Sequence, residues 1–214
     1  MSVRRLLPAA AAVLAIGGCS ILSEPPAEQL YRFGATESAG TPDSGPAAPA
    51  LRLGMEQGAF PREADGVRIL TTEGSQVAYL SGARWAAPAD NLFETAVLRA
   101  VRDASPDIAL FPRGAGGGAD HLLRVDVTRF EADYVNGAGA PPTVRVRASA
   151  SVFARIGHRL IAQREFAADQ PAADNRVGAV VGAYDTAVTD VTRQIGTWTV
   201  QTARQLPTEP AAAR

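Results

Sequence analysis

Few residues in this chain can do chemistry, and their types and spacing say which chemistry is open to them. Cys19 is the only thiol in 214 residues, so the fold must stand on its core without a disulfide. His121 and His158 are the only histidines. Each falls at the edge of an expected strand with no Cys, His or carboxylate at metal-ligand spacing, and both read as exposed turn residues. Asp126, Glu131 and Asp133 cluster in sequence, but on opposite faces or near a strand end, where acids are solvated. All 21 basic residues are arginine, which removes Schiff-base lysine chemistry and the lysine of a phosphate loop. No G-x-S-x-G elbow or Ser-x-x-Lys pair offers an activated nucleophile, and "GAGGG" at 114–118 reads as a loose connection. The residues therefore predict a non-enzymatic protein with no metal and no cofactor.

The lone cysteine gains a use from what precedes it. Arg4 and Arg5 form a positive head, Leu6 to Ile16 an apolar core, and Gly17-Gly18 a small-residue cleavage point: an export signal over 1–18. That run is too short to span a bilayer, which takes about 20 residues. Ile16-Gly17-Gly18-Cys19 resembles the bacterial lipobox. The resemblance implies cleavage between Gly18 and Cys19, with diacylglycerol on the thiol and an acyl chain on the new amine. One chain holds a protein reversibly, and two or three hold it durably. Ser20 instead of aspartate favours the outer membrane, facing the periplasm, by resemblance to Gram-negative lipoproteins. The 21 basic and 22 acidic residues leave no basic excess, so nothing supports nucleic-acid binding.

Stepwise along the chain, residues 19–50 read as a lipidated tether, with a short first strand in "LYRFG" at 30–34 that docks on the domain. "ATESAGTPDSGPAAPA" has no large apolar residue to offset its ordering entropy. A tether of about 30 residues would reach at most about 100 Å. Residues 51–204 form the domain, and 205–214 a tail. "LRLGME" reads as a strand, 67–71 and 77–81 as a hairpin about Gly74. Leu92, Phe93, Ala96, Val97, Ala100 and Val101 fall at helical spacing, with Asp90 or Asn91 as N-cap. "DIALFP" is a strand; 121–134, 143–156 and 159–167 form an antiparallel meander. In the middle strand Val144 to Ile156 alternate toward the core, while Arg145, Arg147, Ser149, Ser151, Phe153 and Arg155 take a solvated or partner-facing side. Apolar residues from Val177 to Trp198 then repeat every three to four positions, capped by Asp174 or Asn175, and Gly178 and Gly182 can admit a close neighbour. The fold class is α+β: an antiparallel sheet with two main helices packed on one face.

The order of these stretches resembles the PqiC-like, ABC-type transport auxiliary lipoproteins. It is carried by the lipobox, "YRF", "ARWAAPADNLFETAVLRAV", "LLRVDVTRFEADY", "RLIAQREF" and "VVGAYDTAVTDVTRQI", over nearly all of 19–200. The long 35–50 stretch and the 114–118 loop depart from the pattern, both in linkers. The resemblance implies a lipid-anchored auxiliary of an ABC lipid transporter, docking a periplasmic MCE-domain protein at the outer membrane. The same lipobox, tether and α+β domain also suit a structural envelope lipoprotein that binds peptidoglycan or a division or secretion complex. A third option is a domain that holds lipid in a groove between sheet and helices.

Two partner surfaces are candidates. Arg84-Trp85 precedes the first helix, and both types are frequent interface anchors, although Trp85 more readily staples the helix into the core. Arg145, Arg147, Phe153 and Arg155 form the other. A free sheet edge can also join copies into a homo-oligomer.

Overall fold

The computed structural model describes residues 28–34 and 51–206. The export signal, Cys19 and its cleavage site, residues 35–50 and the tail beyond 206 lie outside the described residues. Eight strands form one sheet, with helices α1 (Ala89–Ala104) and α2 (Val177–Arg204). The strands are β1 (Gln29–Tyr31), β2 (Leu51–Glu56), β3 (Arg68–Glu73), β4 (Gln76–Trp85), β5 (Ile108–Phe111), β6 (His121–Asp133), β7 (Thr143–Ala154) and β8 (Leu160–Pro171).

The α+β class stands. β6, β7 and β8 make the antiparallel meander that strict alternation predicted. The sheet as a whole is mixed, however. β1 runs parallel to β4, β2 to both β5 and β6, and β3 to β6. β6 thus has β7 along one side and two short neighbours along the other, β2 against residues 121–124 and β3 against 132–133. Between them the chain after β2 crosses β6 as a strap: Ala59 donates its N–H to Asp126 at 2.8 Å, and Val127 returns one to the Ala59 carbonyl at 2.8 Å. Gly58 is required there, because a Cβ would stand 1.8 Å from the Val125 carbonyl oxygen.

The helices bury their apolar stripes in one core with the sheet. Phe33, Trp85, Phe130 and Tyr184 meet at its centre, with centroids 4.8 Å apart for Phe33–Trp85 and 5.2 Å for Trp85–Tyr184. Burial holds the Tyr184 hydroxyl protonated, its pKa well above the ordinary value, and it donates to the Leu70 carbonyl at 2.7 Å. Neither helix carries the predicted cap. Pro88 stands at the start of α1 and Arg176 at that of α2, without side-chain caps. Asn91 instead accepts from Arg113, and Asn175 ties α2 to the β6–β7 loop through Tyr134 and the Ala138 carbonyl.

The close helix contact lies elsewhere than expected. A Cβ on Gly178 or Gly182 would meet open space, whereas one on Gly196 would stand 2.6 Å from the Ala100 carbonyl oxygen. Gly196→Ala is therefore expected to destabilise by about 2 kcal/mol through overpacking. Gly182→Ala is expected to stabilise by up to about 1 kcal/mol, since alanine is the better helix former. Denaturant melts of the two variants check the pair; equal shifts would remove the distinction.

Three further boundaries differ from the sequence reading. Ile156 leaves the buried row, because β7 ends at Ala154 and Gly157 and His158 turn the chain with φ of 72° and 48°. Gln205 and Leu206 close the α2 end, and Leu206 is buried. Residues 28–34 belong to the domain and not to the tether. β1 pairs with β4, Phe33 is in the core, and Gly34 donates to Asp185 at 2.7 Å while its carbonyl accepts from Arg99 at 2.5 Å. The chain from Cys19 to Glu28 can then span at most about 30 Å at ~3.3 Å per residue, far less than expected.

Candidate functional site

The candidates for chemistry stay apart. His121, expected at the surface, is 9 % exposed, because its strand is covered on both sides by β2 and β7; its Nδ1 meets no partner among the described residues. His158 is exposed, with Nε2 3.1 Å from both Glu56 oxygens and its ring stacked on Phe153 at 4.4 Å. Among the described residues no group of three or more His, Cys, Asp or Glu could hold a metal ion.

Arg84 and Trp85 point to opposite faces of β4, as neighbours on a strand must. Arg84 pairs with Glu28 at 2.5 Å, so it clasps β1. Trp85 is 1 % exposed and belongs to the core, which removes it as a contact surface. The pair is one structural joint between the N-terminal segment and the sheet.

The β7 row is likewise taken up internally, in separate groupings. Arg145 lies 3.4 Å from Asp133, which Arg129 also approaches at 3.4 Å while holding Glu131 at 2.5 Å. Arg147 bonds Asp169 at 2.7 Å and donates to the Ala168 carbonyl at 3.0 Å. Arg155 curls onto the Gly116 carbonyl at 2.8 Å and the Ala119 carbonyl at 3.4 Å. Phe153 is 7 % exposed, held between His158 and the Arg124 guanidinium, 5.0 Å from its ring centroid. Ser151 is buried as well. The row is therefore not a bare solvated face, the first of the two alternatives that alternation left open. Asp133 and Asp169, on the flanking strands, do the neutralising, and β-sheet register brings them there: Arg145 stands opposite both Glu131 and Asp169.

The Arg147 hydrogen bond holds the Asp169 carboxyl below its ordinary pKa. A depressed carboxyl stabilises the fold above its unfolded pKa of about 3.9, and that contribution is lost as pH falls through the folded value. Both side chains are part-exposed, so Asp169→Asn is expected to cost under about 1 kcal/mol at pH 7. The gap between variant and parent should close as pH drops through the carboxylate range. Urea midpoints from pH 7 to pH 3 check this, and a gap that widens toward low pH would contradict it.

The groove expected between sheet and helices lies elsewhere: a groove of about 340 Å³ runs between α1 and α2. Ala96, Ala100 and Thr192 line it, with Arg99 and Arg193 among its charged residues. Small side chains at the helix contact leave the space open; periodicity shows which positions face a neighbour but not how closely two helices approach. A second concavity of about 400 Å³ lies on the β6–β7–β8 face, lined by Thr128, Arg147, Ser149 and Glu165 among others.

Comparison with known proteins follows the same outline. Residues 31–196 match the family described as the ABC-type transport auxiliary lipoprotein component. No curated protein matches the sequence. A crystal structure from Xanthomonas campestris, of family DUF330, is 29% identical with a TM-score of 0.66, covering 83% of this chain and 98% of that one. An uncharacterized protein of known structure is 17% identical with a TM-score of 0.62, over 81% of this chain and 99% of its own. The PelC dodecamer of Paraburkholderia phytofirmans is a weaker match, 12% identical with a TM-score of 0.40, over 72% and 94%.

Proposed function

Since the chain belongs to the ABC-type transport auxiliary lipoprotein family, we propose that it is the outer-membrane docking component for the MCE-domain protein of a lipid transporter. In this reading Cys19 carries the diacylglycerol and the N-acyl chain, Gly18–Cys19 is the cleaved bond, and the domain works without catalysis.

The observation that carries the reading is the built-in N-terminal segment. β1, Phe33 and Gly34 lock the chain into β4 and α2 directly after the proposed anchor. A domain held within about 30 Å of its bilayer attachment does not reach across the periplasm itself. Its partner must come to it, as a periplasmic tunnel protein would. The self-neutralised charges of β6, β7 and β8 further suit a rigid platform more than a reaction site.

Crosslinking in intact envelopes, followed by purification of the lipidated chain, tests the proposal. An MCE-domain protein should be recovered, and cells lacking the gene should become sensitive to detergent. Recovery of muropeptides or division proteins in its place would support the structural-lipoprotein alternative and overturn this one.

A further inference from the structure

We propose that the β7–β8 turn, Arg155 to Leu160, is a docking point for a protein partner whose socket is apolar and rimmed by carboxylates, on the membrane-distal end of the domain. The orientation rests on the Cys19 anchor proposed above; the docking point itself does not.

Ile156 is 84 % exposed and Leu160 47 %. Single exposed apolar residues are ordinary on a protein surface, but this turn is held rigidly around them. His158 is the one described residue other than glycine with positive φ, at 48°. That conformation costs on the order of 1 kcal/mol and persists only where the surroundings impose it. Here the stack on Phe153 and the contacts with both Glu56 oxygens impose it, tying the turn to β2. A side chain displayed on a fixed backbone loses less freedom on binding than one on a loose loop.

Two guanidinium groups flank Ile156, and neither is in an ion pair among the described residues. The exposed Arg159 guanidinium has no acid partner among the described residues, and Arg155 is spent on two carbonyls without a carboxylate. The acids nearby are Glu56, whose oxygens are engaged by His158, and the exposed Asp120, whose carbonyl accepts from the Arg155 N–H at 2.9 Å. An apolar knob flanked by two guanidinium groups that no carboxylate pairs is complementary to an apolar pocket with acids at its rim.

Strand directions select protein over lipid. β1 enters from the end of the sheet at which β6 finishes, while the β7–β8 turn lies beside His121, where β6 begins. From strand rise and spacing the turn stands about 40 Å from Glu28, more than the ~30 Å that the chain back to Cys19 can span. A domain standing on its entry end thus carries the turn away from the bilayer. Lying flat would press the sheet face onto lipid, and there Arg145 and Arg147 are already paired with acids.

The test places p-benzoylphenylalanine at position 156 of the full-length, lipidated chain in living cells. The expected product is a protein adduct whose crosslinked peptide contains Asp or Glu. Arg159→Glu should reduce it at least fivefold, and reversing the partner's carboxylate to arginine should restore it. A phospholipid adduct, an adduct to a second copy of the chain, no adduct, or one indifferent to Arg159→Glu overturns the proposal. Membrane pelleting of the same cells is read separately: a soluble chain that still gives the charge-dependent adduct supports the docking point and overturns the anchor.

Discussion

Cys19→Ala is expected to shift the protein from the membrane pellet to the soluble periplasmic fraction almost completely. Each buried methylene of an acyl chain contributes about 0.8 kcal/mol, so one chain gives reversible binding and each further chain adds several powers of ten. Without the thiol neither diacylglyceryl transfer nor N-acylation can occur, so the loss is of every acyl chain at once. The shift is read on variant chains freed of residues 1–18, because an uncleaved Leu6–Ile16 run would itself hold the chain to the membrane. No helix among the described residues is long and apolar enough to cross a membrane. Fractionation with the mass of the N-terminal peptide checks the result. A parent peptide carrying an unmodified thiol, or equal pelleting of parent and variant, would refute the anchor. The domain itself should melt like the parent, because the described packing, from Glu28 and Gln29 onward, does not involve the thiol.

What the sequence revealed depended on whether an interaction is local. The meander was legible because Val144 to Val152 alternate with polar residues, and alternation is a property of one strand. α2 was legible because its apolar residues recur with the helical period over 28 residues. The parallel pairs were not: nothing in "QLY" names residues 83–85 as its partner, and a parallel neighbour arrives from far along the chain. The same limit explains the charged row. Arg145 and Arg147 read as a free face until register sets Asp133 and Asp169 beside them. It also explains the glycines. Gly178, Gly182 and Gly196 look alike in sequence, and only the facing Ala100 carbonyl singles out Gly196. Trp85 lay between these cases. Its core role was the favoured reading, yet its partners Phe33 and Tyr184 lie 52 residues upstream and 99 downstream, beyond any periodicity.

Trp85→Ala is the substitution expected to cost most within the fold, about 3–5 kcal/mol. The indole packs edge-on against Phe33 at 88° and Tyr184 at 82°, so its removal leaves a cavity lined by rings that cannot close together. Trp85→Phe should cost much less, because the indole N–H has no acceptor among the described residues and a phenyl ring keeps the edge contacts. The difference reaches function through Phe33. Its ring is the wedge that fixes residues 28–34 to the domain, and without Trp85 the wedge rests on Phe130 alone among its aromatic neighbours. Hydrogen exchange should therefore show β1 opening before the meander in Trp85→Ala, while the β7 amides stay protected. Release of β1 lengthens the chain between lipid and domain and lets the module drift from the bilayer, so partner crosslinking should weaken along with stability. Lost crosslinking at unchanged stability would instead make Trp85 a direct contact, contrary to its burial.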